Sequence, residues 1–168
     1  MKRLIVTAAL LFMASAMASA QDVGRQYREQ VYAFIGQGTY SYDSGLYRID
    51  HVGGGGEVRL FKELGVGSEL GAMGTLGNGV GLFSIDPSYH FRPSSNKSKL
   101  VPFVDAGYTR TFGNRYFTNS QNLFNFGGGI YYWPFKRVGL RADFRDYVDH
   151  SRLVTNHYPA FRIGLALR

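Results

Sequence analysis

Cysteine is absent from the 168 residues, which excludes a disulfide scaffold, a thiolate nucleophile and any thiolate metal site. Proline is scarce, at five residues. Past the first twenty residues no apolar run approaches the ~20 residues a membrane-spanning helix needs. A membrane protein built without such helices is left with the other solution that satisfies every backbone group in lipid, a closed β-barrel.

Glycine, at 22 residues, is about twice its usual share, and 12 Tyr with 13 Phe make the chain rich in rings. High glycine with few prolines and many aromatics suits closely packed strands rather than disorder. The beginning has the form of a secretory signal. Lys2 and Arg3 supply a positive start, Leu4 to Met13 a short apolar stretch, and Ala18-Ser19-Ala20 a small-residue cleavage site. Cleavage after Ala20 is expected, leaving one domain over 21–168, large enough to form its own core. The net charge of +7 falls by two when Lys2 and Arg3 leave. In an exported chain that positive balance points away from nucleic acid and towards anionic lipid head groups, such as lipopolysaccharide phosphates.

Alternation of apolar and polar residues recurs eight times between turn-rich segments. The strands are expected at Val31–Thr39, His51–Leu60, Glu63–Met73, Val80–Phe91, Leu100–Phe112, Leu123–Trp133, Arg137–Tyr147 and Tyr158–Arg168. The clearest is the seventh, where Val138, Leu140, Ala142 and Phe144 alternate with Arg137, Gly139, Arg141, Asp143 and Arg145. In the fourth, Val80 and Leu82 stand on the parity opposite to Phe83 and Ile85, which predicts a bulge near Phe83. Asn78-Gly79 is a hairpin-turn signal, and Tyr40 to Arg48 is expected to form a polar loop. With a periplasmic N-terminus, the turns at Phe61-Lys62, Arg92–Lys99 and Pro134–Lys136 face the periplasm and the longer loops face outward, the pattern of outer-membrane barrels.

Alternation alone leaves open which face is inside. Three features favour an apolar exterior. The charged face is glycine-rich and mixes Arg with Asp and Glu, as a narrow eight-stranded lumen requires. Rings at Phe91, Tyr108, Phe112, Tyr132, Phe144 and Phe161 suit interfacial girdles, and the apolar pattern continues to Leu167. The fold class read from this is an all-β, eight-stranded antiparallel up-and-down transmembrane barrel.

Several segments sharpen this reading. They are Asn125-Phe126-Gly127-Gly128-Gly129-Ile130 followed by Tyr132, Pro134 and Val138-Gly139-Leu140-Arg141; Val101-Pro102-Phe103 with Gly107; and the ending Phe161-Arg162-Ile163-Gly164-Leu165. Together they resemble the OmpA/OmpX-like family of small outer-membrane β-barrel domains. The resemblance implies an outer-membrane location and assembly by the barrel insertion machinery. The family's usual terminal aromatic is here replaced by Leu167-Arg168.

The charged face gathers Glu57, Arg59, Glu69, Asp105, Arg141, Asp143, Arg145 and Arg162, expected to pair inside the barrel because buried charges must be compensated. Asp86, Ser88 and His90 alternate on one face, but residues two apart on a strand lie ~7 Å apart, too far for the direct Ser–His bond that activation needs. Any partner must come from another strand. The Gly53–Gly56 run lacks the Lys-Ser/Thr and helix of a phosphate loop. His150 and His157, with Asp149, share one loop and are expected to be solvated. Tyr42, Tyr47, Arg48, Arg115, Tyr116 and Arg152 lie in segments expected on the outside, and Tyr and Arg are favoured at binding hot spots. The expectation is a non-enzymatic, monomeric outer-membrane barrel without cofactor or metal, in contact with outer-membrane lipid and lipopolysaccharide. Its role is then structural, envelope-stabilising or adhesive. The alternatives are a narrow channel for small or hydrophobic solutes, or a lipid-A-modifying enzyme.

Overall fold

The computed structural model describes residues 29–42, 45–61, 63–75, 78–91, 99–113, 120–149 and 155–168; the signal segment expected at 1–20 lies outside the described residues. The eight strands are β1 (Glu29–Tyr42), β2 (Gly45–Phe61), β3 (Leu64–Thr75), β4 (Asn78–His90), β5 (Leu100–Phe112), β6 (Asn122–Tyr132), β7 (Val138–Asp149) and β8 (Asn156–Leu167). Each pairs antiparallel with its neighbour in sequence, and β8 returns to β1 through the ladder from Val31↔Leu167 to Gly38↔Ala160, which closes the barrel. The rim holding Glu29 and Leu167 is termed the terminal rim, and the opposite one the hairpin rim.

Side chains follow the period of two along every strand, and the burial is inside out. Val138, Leu140 and Phe144 are on the exterior, Leu140 and Phe144 each 50% exposed, whereas Arg141 and Asp143 are 2% exposed. The exterior also carries Ile35, Val52, Leu70, Ile85, Val104, Phe126, Ile130, Ile163 and Leu165. In water such a continuous apolar belt would drive aggregation; facing acyl chains it is the expected outer surface of a transmembrane barrel. Phe91, Tyr108, Phe112, Tyr132, Phe144 and Phe161 are all among the exposed rings.

The strands differ from the sequence expectation in four places. Within the segment from Tyr40 to Arg48, Tyr40–Tyr42 and Gly45–Arg48 are strand rather than loop. β1 and β2 stay paired up to Tyr42↔Gly45, although β3 leaves β2 at Asp50↔Gly74 and β8 leaves β1 at Gly38↔Ala160. A two-stranded ribbon therefore runs on past the end of the β2–β3 ladder, while β8, still paired with β7 as far as Asp149↔Asn156, keeps Tyr158 beside Tyr40. Pro159, which has no N–H to offer a ladder, sits where the β1–β8 pairing stops. Second, no bulge occurs near Phe83: the β3–β4 register runs unbroken from Leu64↔Tyr89 to Thr75↔Asn78, and the shift lies instead between Arg59 and Phe61. Leu82 keeps its parity by pointing inward, where it is buried. Third, Asn78 and Gly79 are not the turn but the start of β4, paired with Thr75 and Gly74. Fourth, Val148 and Asp149 extend β7, and Asn156 and His157 open β8, as paired residues rather than loop.

Candidate functional site

Three strata fill the lumen. Next to the terminal rim, Tyr32, Phe34, Phe103, Tyr131, Trp133 and Ala166 form one apolar cluster, with Val101 packed against it. Near the hairpin rim, Ile49, Met73, Leu82, Leu123 and Tyr147 form a second, flanked by Tyr40, Val80 and Tyr158. Between them lies the charge network.

Arg162 is fully buried. It bonds Glu69 at 2.6 Å and Asp143 at 2.5 Å, and its guanidinium lies 4.3 Å from the centre of the Phe34 ring. Arg145 reaches Asp86 at 2.7 Å and Asp105 at 2.5 Å. Arg141 bonds Asp143 and the Tyr131 hydroxyl, both at 2.7 Å, and stacks 4.0 Å from the Tyr32 ring centre. Asn125 donates to Asp86 and to Thr109, each at 2.8 Å, and Thr109 exchanges a bond of 2.8 Å with Ser84. Guanidiniums thus alternate with carboxylates, the arrangement that offsets the several kcal/mol per ion of desolvation. Arginine is suited to this because its planar fork reaches two carboxylates at once.

Closer to the terminal rim, Glu57 accepts from Gln30 at 2.9 Å and from Ser88 at 2.6 Å, and forms a short contact with His90 Nε2. Serine, histidine and a carboxylate therefore meet, with the carboxylate supplied by β2. They do not form a nucleophile relay. That arrangement needs the carboxylate on Nδ1 and the hydroxyl on Nε2. Here Ser88 Oγ and Glu57 share Nε2, with Ser88 Oγ 3.5 Å away, and Nδ1 meets no partner among the described residues. The His90 ring is packed between Phe103 and Tyr131.

The lumen residues expected from the sequence divide as follows. Glu57, Glu69, Asp105, Arg141, Asp143, Arg145 and Arg162 are all buried and bonded within the barrel. Arg59 is half-buried beside the register shift, away from the network. Asn125, Tyr131 and Tyr147 are members not singled out beforehand, and Asp86, noted in the sequence only beside Ser88 and His90, joins the network as well; each points inward on its own strand, and that parity was the available signal. Of the outer candidates, Tyr47 is exposed and stacks on Tyr40 with ring centres 5.2 Å apart. Tyr40 in turn lies 6.2 Å from Tyr158. Arg48 is exposed and bonds Asp50 at 3.3 Å. Tyr42 ends β1; Arg115, Tyr116 and Arg152 lie outside the described residues. His157 pairs with Asp146 at 2.6 Å on the outer wall rather than with Asp149.

A closed eight-stranded antiparallel barrel with an apolar exterior and a charged, buried interior defines the class: this is the OmpA/OmpX-like fold of small outer-membrane barrels. No protein-family model matches the sequence, and no curated protein matches it. Among solved structures the chain is similar to the N-terminal β-barrel domain of Pseudomonas aeruginosa OprF, with a TM-score of 0.63 and 18% identity, covering 84% of this chain and 98% of that one. It is likewise similar to Neisserial surface protein A (TM-score 0.65, 16% identity, 83% and 96% covered). A third similar structure is Ail, the attachment invasion locus protein of Yersinia pestis, solved with the heparin analogue sucrose octasulfate (TM-score 0.58, 11% identity, 84% and 99% covered).

Proposed function

We propose that this protein is a non-conducting, non-enzymatic outer-membrane barrel that acts as a rigid wall-spanning scaffold and presents the β1–β2 ribbon at the cell surface for recognition. The observation that carries the reading is the filled lumen: among the described residues a buried, paired charge network lies with two buried apolar clusters, which supports a closed interior and leaves the exterior and the β1–β2 ribbon as the working surface. The ribbon supports the second half of the reading. Leu46 is 74% exposed at its tip, beside Tyr47 and Arg48, and aromatic and arginine side chains on a stiff two-stranded element are effective binding anchors. The short Glu57–His90–Ser88 cluster belongs to the seal at the terminal rim, with its hydroxyl already committed to the carboxylate.

Membrane fractionation combined with gel electrophoresis of unheated and heated samples tests the location and closure of the barrel. A heat-modifiable band in the outer-membrane fraction is expected, and a soluble periplasmic band refutes the proposal. Planar-bilayer recording tests the seal. No steady conductance is expected from the wild type, and stable unit conductance steps would make the protein a channel instead.

A further inference from the structure

The outer wall is not evenly covered. Across β8, β1, β2, β3 and β4, one hydrogen-bonded row runs Ile163↔Ile35↔Val52↔Ala72↔Gly81. All five side chains point outward, and they shrink in order from isoleucine through valine and alanine to none. The descent stops at Gly81, where the Phe112 ring occupies the space a Cβ would take. At the other end Phe161 stands above Ile163 on the same face. Along this descent, from Phe161 and Ile163 to Ala72 and Gly79, lies a groove of about 630 Å³, within the size range of small-molecule sites.

Its chemistry changes along the barrel axis. The floor towards mid-wall is Ile35, Val52, Ala72 and Ile163; the end towards the hairpin rim is Gln37, Asp50 and Thr75. Arg48, two residues above Asp50 on the same outward face, bonds its carboxylate and is otherwise exposed. The groove therefore crosses from the apolar belt to the polar edge, with a carboxylate, an amide and a hydroxyl lining its mouth and the Arg48 cation paired with that carboxylate just above it.

We infer that this groove holds one acyl chain of an outer-leaflet glycolipid, a lipopolysaccharide, whose phosphorylated sugar sits at the Gln37–Arg48–Asp50 mouth. The occupant must be amphipathic, because a wholly apolar guest would leave the mouth unused and a wholly polar one would face the Ile35–Val52 floor. A sugar phosphate matches the mouth better than a phosphoethanolamine does. Gln37, Asp50 and Thr75 offer donors and acceptors for several hydroxyls, and Arg48 offers charge for a phosphate. The net positive chain adds long-range attraction for an anionic lipid. The inference rests on the orientation taken above, with the hairpin rim outward, since only that leaflet carries the glycolipid.

Folded barrel in detergent, titrated with purified lipopolysaccharide or with phosphatidylethanolamine and read by native mass spectrometry, tests the assignment. Ala72→Phe fills the groove floor, and Ala106→Phe places the same ring on the outward face of β5, on the other side of the barrel. Heat-modifiability confirms that each variant is folded. One lipopolysaccharide per barrel is expected on the wild type, weakened at least tenfold by Ala72→Phe and several-fold by Arg48→Glu, and unchanged by Ala106→Phe. Equal effects of the two phenylalanines, no retained lipopolysaccharide, or equally groove-dependent binding of phosphatidylethanolamine would each overturn it. If fractionation finds the wild type outside the outer membrane, the orientation reading fails; if it is in place and the titration fails, the groove assignment alone falls.

Discussion

Replacing Arg162 by leucine separates a dry lumen from a wet one by magnitude. The side chain is fully buried, holds Glu69 at 2.6 Å and Asp143 at 2.5 Å, and covers the Phe34 ring. Leucine keeps much of the packing against Phe34 but leaves two carboxylates with one cation fewer. Glu69 retains the Tyr32 hydroxyl at 3.1 Å and Arg145 at 3.8 Å; Asp143 retains Arg141 at 2.7 Å. Breaking a buried pair by removing one partner costs about 3–5 kcal/mol, because the remaining charge stays desolvated. In a water-filled lumen the same change would cost about 0–1 kcal/mol, the value of a solvated pair. The assay is urea unfolding of the barrel folded into phospholipid vesicles, followed by tryptophan fluorescence and by the folded gel band. With a slope of about 1–3 kcal/mol per molar urea, the dry lumen predicts a midpoint lowered by more than ~1 M. Adding Glu69→Gln to Arg162→Leu removes one stranded charge and should recover part of the loss. A single-variant cost below ~1 kcal/mol, with an unchanged slope, would refute the sealed-lumen argument and the non-conducting function built on it.

Other outcomes follow from the same geometry. Ile163→Arg puts a charge on the lipid face at mid-wall and should cost about 2–4 kcal/mol in the same unfolding assay, whereas a charge reversal at exposed Arg48 should leave stability within about 0.5 kcal/mol. Gly129→Ala drives a methyl against the Ala142 carbonyl and Asp143, and should destabilise by about 1–3 kcal/mol. Gly56→Ala meets nothing nearer than 3.7 Å and should be neutral or stabilise by up to about 1 kcal/mol through the unfolded chain. Shortening the ribbon by replacing residues 40–47 with a two-residue turn should leave the heat-modifiable band intact while abolishing whatever cell-surface binding the full chain shows.

Much of this molecule can be read from period and spacing. β5 occupies the span its alternation predicts, Leu100–Phe112, because polar sequence marks both ends and its outward residues are apolar at every position but Arg110. The fourth strand misleads for a physical reason: Val80 and Leu82 are apolar and inward, part of the cluster near the hairpin rim, so equating apolar with outward manufactures a bulge that is absent. The ribbon is hidden because Tyr40, Ser41 and Tyr42 are strand-compatible yet polar, and only pairing with residues 45–47 distinguishes strand from loop. The network's composition was legible as an inward parity, but its wiring was not. Arg162 meets Glu69 across 93 residues, and Arg145 meets Asp86 across 59, contacts that exist only once the sheet has curled.

The seam between β1 and β8 gives the chain a particular history. Its ladder joins Val31 to Leu167 and Gly38 to Ala160, the longest sequence separations in the molecule, so the tube cannot become whole until its final strand arrives. Until then two rows of bare amides and carbonyls remain available to any other strand, and in lipid they have no substitute partner. Completion is all or nothing: a chain stopped before β8 is left as an open sheet with two adhesive margins, instead of a slightly narrower tube.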